Sequence, residues 1–251
     1  MMRHLWLLFR RKFLETLRQP VWVVLGLSTP LLYLALFAPV LDAFTGGPGF
    51  GEGDVLDVFV PGILALLAFG TGMGAGWIVI DELKAGVIER LRVTPVSRLA
   101  LILGTALRDV VVMVIPALIV VLVAIPFGFH AHWDGIALLM VLLSLVTVTT
   151  SATSSALGII LRETGSLAAI WNGVNLPILL LSGVLLPLSI APGWLRLLAH
   201  INPLYYAVEA SRDLAAGTLT SWDVAQGFLV MTALTIVVLW WATNTFRKAV
   251  A

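Results

Sequence analysis

Cysteine is absent from the 251-residue chain, which excludes a disulfide framework, thiol chemistry and any cysteine-ligated metal. Charge is scarce as well: 12% of residues are charged against 60% hydrophobic, a balance that a soluble globular domain of this length does not show. The net charge is +1 and the basic residues are spread by loop, so there is no basic patch of the kind that binds nucleic acid. Catalytic signatures are missing too. There is no HExxH, no GxSxG elbow, and no carboxylate pair within the apolar runs to relay protons or drive hydrolysis. Gly70, Gly72, Gly74 and Gly76 follow no strand and precede no lysine, so they make neither a phosphate loop nor a dinucleotide fingerprint. His130 and His132, with Asp134 nearby, have the spacing of a two-imidazole metal site on a loop, but the pattern fits a wet loop better; His4 and His200 stand alone.

What the chain does have is long apolar runs. A helix needs about 20 residues to cross a hydrocarbon core, because lipid does not satisfy free backbone groups. Six runs meet that length, at 21–41, 58–80, 99–129, 136–161, 167–187 and 224–246. The first is too long for a signal-peptide core and is expected to remain as a span. The third holds Arg108 and Asp109, so its first turns are expected to project into the cytoplasm, with the lipid core starting near Val110 and kinks at Pro116 and Pro126. All basic residues except Arg196 and Arg212 lie before the first run, around the second loop, at Arg162 or at the C-terminus. With an even number of spans, this asymmetry predicts that both termini and the 81–98 loop are cytoplasmic.

That loop reads DELKAGVIERLRVTPVSR and is the longest charged interruption between apolar runs. Leu83, Val87 and Leu91 recur at intervals of four, and Pro95 turns Thr94 away from helical geometry, which together predict a short helix over 81–93. The pattern alone suits a docking helix and a solvated, topology-setting loop equally. Before the first run, Trp6, Phe9, Phe13 and Leu17 gather on one side of a helix at 3–19, opposite His4, Arg11, Glu15 and Arg18, as in an interfacial amphipathic helix. The glycine-rich 42–57 segment is a plain connection. From 188 to 223 an amphipathic rhythm persists, with Trp194, Leu197, Leu198 and Ile201 on a common side, and two short helices are expected to break at Asn202-Pro203 and dip into the outer leaflet.

Polar residues within the runs need partners. The glycines of the second run make small-xxx-small pairs suited to close helix packing. In the fourth run Thr147, Thr149, Thr150, Ser151, Thr153, Ser154 and Ser155 are too many hydroxyls for a lipid-facing helix, and the fifth run adds Asn172 and Asn175 beside Trp171. Thr147, Thr150, Ser151, Ser154, Asn172 and Asn175 are the candidate lining of a substrate path, with packing between helices an equal reading.

Three groups of residues resemble the ABC-2 type permease family, the membrane subunits of bacterial ATP-binding-cassette exporters, and especially its drug-efflux branch. They are Glu89-Arg90-Leu91 with Thr94-Pro95-Val96-Ser97-Arg98, Leu181-Ser182-Gly183 with Pro187 and Leu188, and Asn202-Pro203-Leu204 with Tyr206-Ala207-Val208-Glu209-Ala210. The family usually has Gly-Thr before Glu-Arg-Leu, where this chain has Gly86-Val87, a change that bears on a local cap. The resemblance spans nearly the whole chain and implies an all-α polytopic membrane protein, one transmembrane domain over 1–251. It would have six transmembrane helices, an N-terminal elbow helix, a cytoplasmic coupling helix at 81–93 and outer re-entrant helices at 188–217. It further implies two copies of a separate ABC-type ATPase subunit, which carry the ATP and Mg, and a second permease copy or a sister permease. Glu82, Leu83, Val87, Glu89, Arg90, Leu91 and Arg92 would couple to the ATPase. This chain would hold no cofactor and catalyse nothing itself, and would export a hydrophobic, amphiphilic or lipid-linked substrate across the bacterial cell membrane. An ion-gradient-driven secondary transporter is the alternative, and it should show an inverted repeat and midplane charges, neither of which is evident.

Overall fold

The computed structural model describes residues 2–17, 26–36, 55–87, 98–184 and 191–249. The described residues form helices and turns: α1 (Met2–Leu17), α2 (Gly26–Leu36), α3 (Val55–Met73), α4 (Ala75–Lys84), α5 (Arg98–Ala124) with a 3-10 turn at Ile125–Phe127, α6 (Trp133–Leu161), α7 (Thr164–Leu181), α8 (Gly193–Ala199), α9 (Pro203–Ala215) and α10 (Trp222–Ala249). Among the described residues, five segments are long and apolar enough to cross a membrane: Leu56–Lys84, Leu99–Phe127, Trp133–Leu161, Thr164–Leu181 and Trp222–Lys248. The protein is a multi-pass membrane protein. Of the expected first span, only the short apolar helix α2 lies within the described residues.

α6 is the axis of the bundle, packed by α3, α4, α5, α9 and α10. Its apolar residues Ile136, Leu139, Leu142, Leu143 and Val146 join the main core with Leu64, Met113, Val120 and Leu214. A second cluster closes the other end, where Val79, Ile102, Ala152, Ala156, Ile159, Ala242 and Phe246 meet. The α4–α6 contact is backbone against backbone. A methyl group on Gly158 would lie 2.6 Å from the Gly76 carbonyl oxygen, and one on Gly72 would lie 2.7 Å from the Thr147 carbonyl oxygen. Gly72 and Gly76 therefore carry the close packing expected of the glycine series. Gly70 has nothing within 4 Å, and Gly74 meets only the Thr71 carbonyl oxygen at 3.4 Å, since the α3–α4 rod breaks at that residue.

Several boundaries differ from the sequence expectations for identifiable reasons. The helix expected over 81–93 is divided: residues 81–84 continue α4, and the chain turns at Ala85–Gly86, where Gly86 adopts φ 68°. Val87 lies past that turn, and 88–93 lie outside the described residues. The fifth apolar run leaves the helix at Leu181 and not at Pro187, because Ser182 bonds back to the Leu179 carbonyl and Gly183 takes φ 72°. Pro126 does not kink α5; it sits in the 3-10 turn that ends it, and Gly128 (φ 108°) reverses the chain toward α6. Two short helices flank Asn202-Pro203 as expected. Asn202 caps α9 by accepting from the Leu204 amide at 3.1 Å, and Pro203 occupies the first turn, where its missing N–H costs nothing.

Gly158→Ala is expected to force α4 and α6 apart and destabilise the detergent-solubilised protein by about 1–3 kcal/mol. Gly165→Ala, where the nearest atom is a Glu163 side-chain oxygen at 3.8 Å, should leave stability unchanged. Thermal unfolding of the two variants side by side checks the contrast, and equal melting curves would remove the close-packing argument.

Candidate functional site

Two polar clusters occupy opposite ends of the 29-residue α3–α4 rod. The first lies where α1 crosses the bundle. The ring ladder of α1 forms as its periodicity predicts, with centroids 5.6 Å apart for both Trp6–Phe9 and Phe9–Phe13. A third face escaped the two-sided reading of this helix. Lys12 and Thr16 are buried against α5. Lys12 Nζ lies 2.7 Å from Glu82 Oε1 at the end of α4, and Arg11 approaches the same oxygen at 3.9 Å. Thr16 donates to the Lys12 carbonyl and accepts from Arg108 Nε at 2.8 Å.

Arg108 and Asp109 carry the cluster inward. Instead of projecting into water, Asp109 is fully buried; Oδ1 accepts from Arg108 Nη1 at 2.5 Å and Oδ2 accepts from Ser151 Oγ at 2.6 Å. A chain of contacts thus runs from the α1 surface through α5 to the middle of α6. Its only trace in the sequence is two adjacent charges inside an apolar run, which become tolerable in a membrane when paired within protein.

The candidate path residues fall into two separate groups. Thr147, Thr150, Ser151 and Ser154 are buried inside the chain. Thr147 bonds the Ala68 carbonyl, Thr150 bonds the Val146 carbonyl, and Ser154 donates to the Met73 carbonyl while accepting from the Gly76 amide at 3.0 Å and from Trp171 Nε1 at 3.3 Å. Asn172 is exposed on α7, while Asn175, one turn from buried Trp171, is half-buried at the edge of the face that meets the bundle. Only 11% of the α7 window is buried, against 67% for α6. Of the candidate coupling residues, Glu82 is held by Lys12, Leu83 packs on the second core cluster, and Val87 is half-buried; Glu89, Arg90, Leu91 and Arg92 lie outside the described residues.

The second cluster centres on Arg212 of α9. Its guanidinium donates to the Val58 carbonyl at 3.3 Å, to the Gly183 carbonyl at 2.6 Å and to Glu209 Oε1 at 2.6 Å, so one side chain ties α3, the end of α7 and α9 together. Burial pushes the Arg212 guanidinium below its usual range and the Glu209 carboxyl above its own, and their pairing opposes both shifts. Asn202 Nδ2 adds a bond to the Ile178 carbonyl at 2.8 Å. His130 pairs with Asp57 at 3.2 Å and His132 Nδ1 lies 3.1 Å from the Ala215 carbonyl oxygen, so the two imidazoles brace the loop before α6 against different helices. Among the described residues no group of three or more His, Asp or Glu side chains is placed to hold a metal ion.

The model of the ABC-2 type transporter family matches residues 3–215, which spans both clusters. The chain belongs to the ABC-2 type transporter family. This permease is 26% identical over 236 residues to the daunorubicin resistance ABC transporter permease protein DrrB1 of Streptomyces coeruleorubidus, covering 93% of this chain and 81% of that one. It is 30% identical over 230 residues to the putative transport permease ycf38 of Porphyra purpurea, covering 88% and 76%. It is 26% identical over 167 residues to the probable doxorubicin resistance ABC transporter permease protein DrrC of Mycobacterium tuberculosis, covering 62% and 58%. The drug-resistance permeases are thus among the relatives, in keeping with the resemblance read from the 89–98 and 202–210 residues.

Truncation of one member of the buried pair in this ABC-2 permease leaves the other charge uncompensated. Asp109→Ala is expected to cost about 3–5 kcal/mol, whereas the double replacement Arg108→Leu with Asp109→Leu should recover more than half of that loss. Equilibrium unfolding of both variants in detergent reads the difference. A single variant as stable as the parent would show that the pair does not hold α5 to α6.

Proposed function

We propose that the chain is the membrane-embedded permease of an ATP-binding-cassette exporter in the bacterial cell membrane. It moves a hydrophobic, amphiphilic or lipid-linked substrate out of the cytoplasm or inner leaflet, using ATP and Mg bound by two copies of a separate ATPase subunit. The observation that carries this reading is the family match over residues 3–215. The distribution of basic residues supports cytoplasmic termini, the six long apolar runs including 21–41 support six spans, and amphipathic patterning supports α1 as an interfacial elbow and α8 and α9 as re-entrant helices on the outer side. That the named relatives include drug-resistance permeases supports an efflux role.

Coupling to the ATPase is assigned to the segment that begins at Glu82. With Glu82 held by Lys12 and Leu83 packed on the bundle, these two join the loop to the membrane domain. Val87, Glu89, Arg90, Leu91 and Arg92 then form the surface that meets the ATPase. A rigid link between α1 and the end of α4 makes a push on the loop a push on both helices. A second permease, identical or a sister chain, covers the exposed face of α7 that bears Asn172 and borders the half-buried Asn175, since an exposed amide is costly in lipid. These asparagines would border the substrate path between the two copies. The alternative, an ion-gradient-driven secondary transporter, needs a titratable group free to change partners; Asp109, the buried carboxylate among the described residues, is already held by Arg108 and Ser151.

Replacing Glu89 and Arg92 together by alanine is expected to weaken co-purification of the ATPase subunit at least about tenfold and to abolish ATP-driven transport in reconstituted vesicles. Undiminished ATPase association and transport in that variant would count against the coupling assignment. Transport driven by an ion gradient without any ATPase would favour the secondary-transporter reading.

A further inference from the structure

At the end of the bundle opposite α1, the first turns of α9 and α10 border an open cavity of about 150 Å³ lined by His200, Tyr205, Tyr206, Glu209, Asp223 and Gln226. Three of these residues are rings set at steep mutual angles. Tyr205 and Tyr206 stand 5.3 Å apart at 71°, His200 and Tyr205 5.1 Å apart at 47°, and His200 and Tyr206 6.3 Å apart at 80°. Two bonds hold the rings in place: Tyr206 Oη donates to the His200 carbonyl at 3.0 Å, and His200 Nδ1 lies 2.7 Å from the Arg196 carbonyl oxygen.

The charge lining the cavity is negative. Glu209 is paired with Arg212 through Oε1, and the Arg212 donors are directed to Glu209, Val58 and Gly183, so the guanidinium is committed to the protein. Asp223, exposed in the first turn of α10, has no hydrogen bond or ion pair among the described residues. Burial, and then the carboxylates of Glu209 and Asp223, push the Tyr205 phenol above its usual range, as expected where the local potential is negative. An anion would therefore meet carboxylates and no available guanidinium.

We propose that this cavity is a binding site for an alkylammonium group, with Tyr205, Tyr206 and His200 as its aromatic walls and Asp223 as its counter-charge. Ring faces attract an ammonium through their quadrupole, and a carboxylate beside them adds a Coulomb attraction that a neutral ligand of the same shape does not feel. The cleft has room for a methylated or primary ammonium head. The ammonium has two chemical sources: the headgroup of a zwitterionic lipid, or a soluble amine.

Choline and its uncharged isostere 3,3-dimethyl-1-butanol distinguish the terms when titrated calorimetrically into the full-length permease in an uncharged maltoside detergent. Choline should bind and the isostere should not. Asp223→Asn and Tyr205→Leu should each weaken choline at least about fivefold, whereas Tyr205→Phe, which keeps the ring, should stay within about twofold of the parent. Competition by added phosphatidylethanolamine identifies a lipid headgroup as the natural source; its absence, with choline binding retained, identifies a soluble amine. Equal binding of the isostere, no choline binding, or binding untouched by Asp223→Asn and Tyr205→Leu would overturn the proposal. Because no transport is measured, such a result would leave the exporter reading standing.

Discussion

The single oxygen of Ser154 holds together the place where the membrane domain would otherwise fail. The α3–α4 rod is interrupted at Gly74, whose amide bonds the Thr71 carbonyl in a tighter turn at 3.3 Å, in a region where lipid offers no hydrogen bonds. Ser154 Oγ donates to the Met73 carbonyl on one side of the break and accepts the Gly76 amide on the other, and it also receives Trp171 from α7. This works because Gly76 and Gly158 carry no side chain, so α4 and α6 approach at backbone distance. Three further hydroxyls of α6 also reach other helices, whereas Ser144, Thr150 and Thr153 bond back to carbonyls of α6 itself. Thr147 reaches α3, Ser151 reaches α5 through Asp109, and Thr149 meets Thr235 of α10 at 2.7 Å. Each such bond is modest in a membrane, on the order of 0.6 kcal/mol, but together they set the rotation of α6 against α3, α4, α5, α7 and α10.

Given a fixed axis, the two ends can be specialised. At one end, Lys12, Glu82, Thr16, Arg108 and Asp109 connect a surface helix, a loop-bearing helix and the core helix by ionic and polar contacts. At the other, Arg212 gathers carbonyls from α3 and the end of α7, while Tyr205, Tyr206 and Glu209 at the start of α9 line the cavity. The bundle therefore presents a linkage end and a cavity end, with the least covered long helix, α7, between them.

Periodicity and run length made much of this legible. The five membrane-crossing helices within the described residues, the aromatic ladder of α1, the break at Asn202-Pro203 and the small-residue packing of the second span all follow from spacing and turn chemistry. Helix ends at Gly86 and Gly183 were less legible, because a glycine inside an apolar or charged run signals a turn only when its φ becomes positive. The hydroxyl-rich face of α6 was visible, but its use was not: packing and path lining require the same residue types, and only the neighbours differ.

By itself, the sequence determined membrane-spanning character, the number of apolar runs, the distribution of basic residues among the loops and the family resemblance, since all of these depend on local composition and order along the chain. Only the tertiary structure decided which polar groups meet. Arg108 and Asp109 are a buried pair because α6 places Ser151 beside them, and Lys12 faces inward because α4 delivers Glu82 across 70 residues of chain. The negative aromatic cavity exists because α10 returns Asp223 to the foot of α9. Contacts between residues distant in sequence leave no periodic trace, so no reading of spacing alone contains them.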